Sequence, residues 1–398
     1  MSMRLGSRLR AALAAAEEDQ IVLDLAGIEH QYEALARELP GARVRFAMKA
    51  CPVDDVLACL AGRGAGFDAA SPGEISQALG AGASVHDIHY GNTVKSDQNI
   101  VDAYRLGVRD FATDSVEDVM AIAAHAPGSR VFCRLATTGA GAVWGLSRKC
   151  GCSGEDAVRV LDTARLLGLT PSGLSVHVGS QQMTADAWQD AVDRLTEALV
   201  ALRDRGIQVD HVNLGGGLPA LGYLDRSGRP LDPPLDEIFA TIRAGVARLR
   251  QVAGADLDIV LEPGRHLVAD HGAIRAHVVR MTARRQLSGD REHWLYLSCG
   301  KFNGLYEVDQ VQYRLLFPGH HDEEHVPAVV AGPTCDSDDT FGAARFPVPV
   351  PRSVASGDPV WIVSCGAYST SYTTVGFNGF SPLPLNLLPG EHRAKAHA

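Results

Sequence analysis

The sequence predicts an α/β chain built on a closed barrel of eight parallel strands, each followed by a helix, with a second all-β domain after it. Three observations predict this. Eight short apolar runs recur with helix-like segments between them: Val44–Cys51 (VRFAMKAC), Gly66–Ser71, Asp87–Asn92, Asp110–Ser115, Arg130–Leu135, Gly173–Ser180, His211–Gly217 and Asp258–Arg265. Each ends on something chemically able: Lys49, Asp68, Asn92, Asp114, Arg134, His177, the triplet Gly215-Gly216-Gly217, and Glu262 with Arg265. In a β/α barrel the C-terminal strand ends carry the active site. Finally, the chain has 398 residues, more than the roughly 250 a barrel needs, and its composition turns β-like past His266.

Taken in order, Met1–Asp19 is alanine- and arginine-rich and reads as helical. Ile21–Leu25 is a strand preceding the barrel, with partners expected in the second domain. Ile28–Leu39 repeats apolar positions at helical spacing until Pro40-Gly41 stops it. Val116–Ala124 and Asp186–Arg205 are further amphipathic helices, the latter the longest pattern of the barrel. Thr137–Trp144 (TTGAGAVW) is glycine-rich and reads as a loop beyond the fifth strand. Past Gly272 the strand-like runs are Ala273–Val279, Trp294–Ser298, Ala328–Ala331 and Pro359–Cys365. The expected domains are 1–25, joining the β domain, 26–270, the barrel, and 271–398, the β domain.

A formal charge of −10 argues against nucleic acid or an anionic membrane as partner. No signal peptide or spanning helix is legible, since the apolar Ala11–Ala16 is short and acidic residues follow it. Eight cysteines lie scattered, Cys150 and Cys152 forming the one close pair, so no zinc spacing emerges and the thiols are expected reduced in a cytoplasmic protein. Gly319–His325 (GHHDEEH) reads as a charged surface turn rather than a metal site. No metal is expected.

At the barrel mouth, Gly215, Gly216 and Gly217 offer bare backbone amides to an anion, and Arg265 a bidentate charge. That pair suggests a phosphate site. Glu262 lies three residues before Arg265, and His177 is drawn toward the strand end by Gly179-Ser180. A lysine amine, a phosphate cradle, a carboxylate and an imidazole face are what pyridoxal 5'-phosphate requires.

On these residues the chain resembles the fold-type III pyridoxal-phosphate decarboxylases of ornithine, lysine, arginine and diaminopimelate, whose architecture is alanine-racemase-like. The shared motifs, in the family's order, are FAMKA around Lys49, GFDAASPGEI from Gly66, HVGS from His177, NLGGG from Asn213, EPGR from Glu262, GPTCD from Gly332 and GAYSTSYTTVGFNGF from Gly366. The runs LSRKCGCS and GKFNGL strengthen the likeness to bacterial ornithine/lysine decarboxylases.

The resemblance implies roles. Lys49 would carry the cofactor, Glu262 would pair with its ring nitrogen and His177 would stack on its ring. Ser180, Gly215, Gly216, Gly217, Pro263, Gly264, Arg265 and Tyr368 would bind it, and Asp68 and Arg134 would form a charge pair beside Lys49. Cys335 would return a proton to the α-carbon, and Asp336 would receive the distal ammonium of the substrate. Ser298, Cys299 and Phe377 would line the substrate side. Because Cys335 and Asp336 serve the other subunit in this family, a homodimer with shared sites is implied.

The expected reaction is decarboxylation of a basic L-amino acid, ornithine or lysine, to the amine and carbon dioxide. Ser298 and Cys299 stand where relatives carry an aspartate, so the alternative is an unusual or modified amino acid in a specialised biosynthetic pathway. A racemase would place an arginine at the ring nitrogen, against Glu262. A non-catalytic regulatory homologue would usually lack Lys49 or Cys335, and both are present.

Overall fold

The computed structural model describes residues 5–146, 148–320, 323–341 and 346–390. The chain forms two compact units: Glu29–Pro219 with Pro233–Gly264, and Met1–Ile28 with Ala220–Asp232 and Arg265–Ala398. The chain thus leaves the barrel unit after Gly264, where the sequence suggests a break at 270, and the loop 220–232 groups with the β unit.

Among the described residues, eight parallel strands close the barrel in chain order: Ala42–Ala47, Gly66–Ala69, Ile88–Tyr90, Asp110–Thr113, Arg130–Arg134, Thr170–Ser175, His211–Asn213 and Asp258–Leu261. All eight runs picked out in the sequence contribute one. Side chains alternate across each strand, so buried Phe67 and Tyr90 face away from their neighbours Asp68 and His89. The register sets Asp68 beside His89 on adjoining strands, which brings polar groups together in the barrel interior. Helices between the strands start on serines: Ser71, Ser96, Ser115 and Ser153 each accept a hydrogen bond from the backbone amide three residues on. These caps stop each strand's turn at a defined residue.

The glycine-rich stretch Thr137–Trp144 is not wholly a loop. Gly139 and Gly141 have positive φ (64° and 82°) and turn the chain, after which Ala142–Trp144 pairs antiparallel with Ser180–Gln182. The buried Gln182 amide donates to the Ala140 and Val178 carbonyls at 3.0 and 2.7 Å. That seals the hairpin-like flap beside His177.

In the β unit the strand Gly272–Arg285 runs through the centre, pairing with Gln20–Asp24, Arg291–Leu297 and Pro359–Val363. The first strand of the chain therefore finds its partners here, as expected. A helix, Ser7–Ala15, packs Leu9 and Leu13 with Val22, Ala273 and Trp361 into a small core. In the GHHDEEH turn, His320 is held by Glu323, Ser353 and Asp358; His321 and Asp322 lie outside the described residues, as does Ser147 of LSRKCGCS. Among the described residues no helix is long and apolar enough to cross a membrane.

Candidate active site

Lys49 follows the first barrel strand on a short turn, Met48–Ala50, with its side chain exposed while Met48 and Ala50 are buried. Its charge reaches Asp68, Glu74 and His177. Asp68 is not in a close pair with Arg134. Its direct partner is His89, whose Nε2 lies 3.1 Å from Asp68 Oδ1, while Lys49 and Arg134 act on it at longer range. Burial opposes ionisation of Asp68, but the His89 hydrogen bond and these charges hold its carboxyl below the usual range.

Glu262 follows the eighth strand. Its Oε1 lies 3.0 Å from His89 Nε2 and accepts from Asn213 Nδ2 at 2.5 Å. Asn213 accepts in turn from the Gly215 amide at 2.8 Å. One side chain thus ties the carboxylate to the glycine turn. Gly215 and Gly217 have φ of 68° and 116°, and a Cβ on Gly215 would sit 2.0 Å from the Val176 carbonyl oxygen. Only glycine permits this close turn. Asp68, His89 and Glu262 form a trio that could ligate a cation, but His89 Nε2 already hydrogen-bonds toward both carboxylates.

His177 is only partly buried by surface, yet its surroundings disfavour a second proton: desolvation first, then the Arg134 and Lys49 charges, lower its pKa to about 3. It is a neutral ring at physiological pH, suited to stacking. Ser180 lies on the short strand beyond it. Pro263 is buried, its carbonyl accepting from the Ala47 amide at 3.1 Å, and a Cβ on Gly264 would meet Ala50 at 2.8 Å. These contacts hold the EPG turn close against the Lys49 turn.

The β unit holds the remaining positions. Arg265 is 4% exposed, and its fork is bidentate to Glu307 at 2.5 and 2.6 Å, with Tyr223 Oη 2.9 Å from Nη1. The guanidinium expected to serve a phosphate thus spends both Nη groups on a carboxylate. Tyr368 lies over this guanidinium, 4.7 Å from its ring centroid, with an unusual positive φ of 64°. Cys335 and Asp336 are exposed on a loop that Asp339 braces, accepting from the Thr334 amide and hydroxyl at 3.1 and 2.7 Å and from the Lys301 amide at 2.7 Å. The Cys335 amide donates to Asn378 Oδ1 at 2.8 Å, and Phe377 packs on Phe302 with ring centroids 4.8 Å apart.

Two further positions expected on the substrate side, Ser298 and Cys299, belong to the β unit. Ser298 Oγ accepts from the His277 amide at 2.9 Å, locking a strand edge. Cys299 is wholly buried, and burial, with Asp19 and Asp339 adding, pushes its thiol far up.

Sequence reasoning missed His89, Asn213 and Glu307. Asn213 stood within the NLGGG motif and His89 between Ile88 and Tyr90, an inward polar position by strand alternation. Glu307, 42 residues beyond Arg265, has no local signal.

A β/α barrel bearing an exposed lysine beside a neutral imidazole, a tethered carboxylate and a bare glycine turn defines a pyridoxal-phosphate enzyme; these residues fit the group in charge and in space. The chain belongs to the pyridoxal-dependent decarboxylases: the family's pyridoxal-binding domain matches residues 25–269, and its cofactor is pyridoxal phosphate. It is 30% identical to the ornithine decarboxylase of Saccharomyces cerevisiae over 388 residues, 92% of this chain and 79% of that one. It is 29% identical to the lysine/ornithine decarboxylase of Selenomonas ruminantium over 367 residues, 92% and 88% of the two chains. In structure it is similar to the lysine/ornithine decarboxylase of Vibrio vulnificus complexed with putrescine (TM-score 0.82, 26% identity, 97% and 99% covered). It is likewise similar to SrLDC in complex with PLP and cadaverine (0.83, 26%, 100% and 97%).

Proposed function

We propose that this enzyme decarboxylates a basic L-amino acid, ornithine or lysine, to the diamine. The observation that carries this reading is the barrel network joining Lys49, Asp68, His89, Glu262, Asn213 and Gly215, together with relatives that act on ornithine and lysine.

When bound, pyridoxal phosphate supplies the electron sink for the pair released as carbon dioxide leaves. Lys49 would bind the cofactor covalently, with the Asp68 carboxylate, which feels the Lys49 charge, near that amine. Glu262 would hold a proton at the ring nitrogen, while neutral His177 would orient the ring without competing for that proton. The amides of Gly215, Gly216 and Gly217 and the Ser180 hydroxyl would bind the phosphate. Cys335 would deliver the proton to the α-carbon, and Asp336 would receive the distal ammonium. We place the enzyme in the cytoplasm, in keeping with its free cysteines.

The test is mass spectrometry of products from L- and D-ornithine, lysine, arginine, 2,4-diaminobutyrate and diaminopimelate. Putrescine or cadaverine appearing with the intact enzyme and not with Lys49→Ala is expected. A cofactor-loaded enzyme that releases neither diamine would end the assignment and favour the modified-substrate alternative.

The proposed assembly is a homodimer. Around the exposed Cys335 loop's partner segment, Tyr372, Val375, Phe377 and Phe380 are 47%, 85%, 36% and 38% exposed, more apolar surface than one turn of a monomer usually shows. Mixing Lys49→Ala and Cys335→Ala proteins is expected to restore about a quarter of wild-type activity, since random pairing makes half heterodimers with one complete site each. Recovery of nothing from a mixture shown to exchange subunits would exclude sharing.

A further inference from the structure

His89 is wholly buried in the barrel interior, and no chemical role has been given to it above. Its ring lies between two different kinds of partner. On one side Nδ1 meets the Arg45 guanidinium. On the other, Nε2 lies 3.1 Å from Asp68 Oδ1 and 3.0 Å from Glu262 Oε1. Phe132 flanks the ring with centroids 5.1 Å apart.

The chemistry of Arg45 decides which nitrogen carries the proton. A guanidinium only donates and does not lose its charge, so Nδ1 must accept and the ring hydrogen sits on Nε2. Arg45 is itself anchored, its Nη1 lying 3.5 Å from Asp110 Oδ2, and Asp110 accepts from Ser172 Oγ at 2.9 Å. A line of buried polar groups from Asp110 through Arg45 thus aims one N–H at the two carboxylates.

Glu262 Oε1 therefore receives two donors, His89 Nε2 and Asn213 Nδ2. Among the described residues no protein hydrogen bond reaches Oε2. We infer that His89 is a positioning residue: with its tautomer set by Arg45, it clamps Oε1 of Glu262 and leaves Oε2 as the oxygen offered to the cofactor's ring nitrogen. The inference rests on Glu262 being that nitrogen's partner. It adds that the carboxylate's rotation, and so the protonation of the ring, is controlled from the third barrel strand.

Two substitutions separate this role from mere packing. In His89→Asn the amide oxygen can still accept from Arg45, but nothing reaches the carboxylates. In His89→Gln a longer amide can restore a donor to them. The holoenzyme would be loaded with pyridoxal phosphate carrying ¹⁵N in the ring, and the nitrogen resonance followed by NMR beside kcat and KM.

The wild type should show a protonated ring nitrogen. His89→Asn should move that resonance toward the unprotonated position and lower kcat about 10- to 100-fold, the range seen when outer partners of a site's ligands are removed, with KM changed less than about threefold. His89→Gln should recover most of both. If His89→Asn binds cofactor and its nitrogen resonance stays at the wild-type position while Glu262→Gln moves it, this inference is overturned and the role of Glu262 stands. If Glu262→Gln fails to move the resonance, both are overturned.

Discussion

The barrel interior and the β unit each bury charged groups, and they satisfy them in opposite ways. In the β unit Arg265 and Glu307 face each other fork to fork, both nearly free of solvent, with Tyr223 completing the guanidinium's contacts. Both Nη groups of Arg265 and both carboxylate oxygens of Glu307 are used on protein groups. In the barrel the charges form an open chain: Asp110, Arg45, His89, then Asp68 and Glu262, with Glu262 held through one oxygen. A closed pair gives rigidity. A chain with an unused end gives a place for chemistry, because the last group keeps bonding capacity for a ligand.

The comparison breaks most sharply at the closed pair. Removing either partner, by Arg265→Met or Glu307→Leu, leaves one buried charge alone and should cost about 3–5 kcal/mol of stability, whereas the double replacement should recover most of it. Urea unfolding of the three variants measures this. Should the singles cost no more than the double, the two groups are not coupled.

A smaller effect is expected in the barrel. Asn213→Leu removes a donor from Glu262 and an acceptor from the Gly215 amide, which should cost about 1–3 kcal/mol. It should also weaken phosphate affinity through the loosened glycine turn, read as the pyridoxal-phosphate concentration needed for half-saturation. Equal affinity in variant and wild type would show that the turn holds without Asn213.

The last effect concerns pH. His177 resists protonation in the folded protein down to about pH 3, while in the unfolded chain it titrates near 6.5. Between those values the unfolded state binds more protons, so stability falls as pH falls below about 6.5 and is flat above it. The slope contributed is at most about 1.4 kcal/mol per pH unit, and His177→Phe should remove it from the apo-protein's urea midpoints. A variant whose midpoints fall just as steeply would assign the acid sensitivity to other groups.

Much of the barrel was legible in the chain. Eight apolar runs ending in turn residues are local patterns, and each became a strand within a few residues of its expected limits. Lys49, His177 and Glu262 were legible because strand ends in such a barrel gather at one mouth. One other reading failed for a physical reason. Thr137–Trp144 looked like a loop because its glycines dominate, yet those glycines only turn a short strand onto Ser180–Gln182.

The amino-acid sequence alone determined the class of fold and the family, since period, turn chemistry and motif order act over short stretches. Only the tertiary structure decided which buried charges meet: Arg265 with Glu307, and His89 with Arg45, Asp68 and Glu262. These groups lie on separate strands and loops, and a buried charge takes whichever partner the closed barrel or sheet brings within hydrogen-bond reach, which no local pattern encodes.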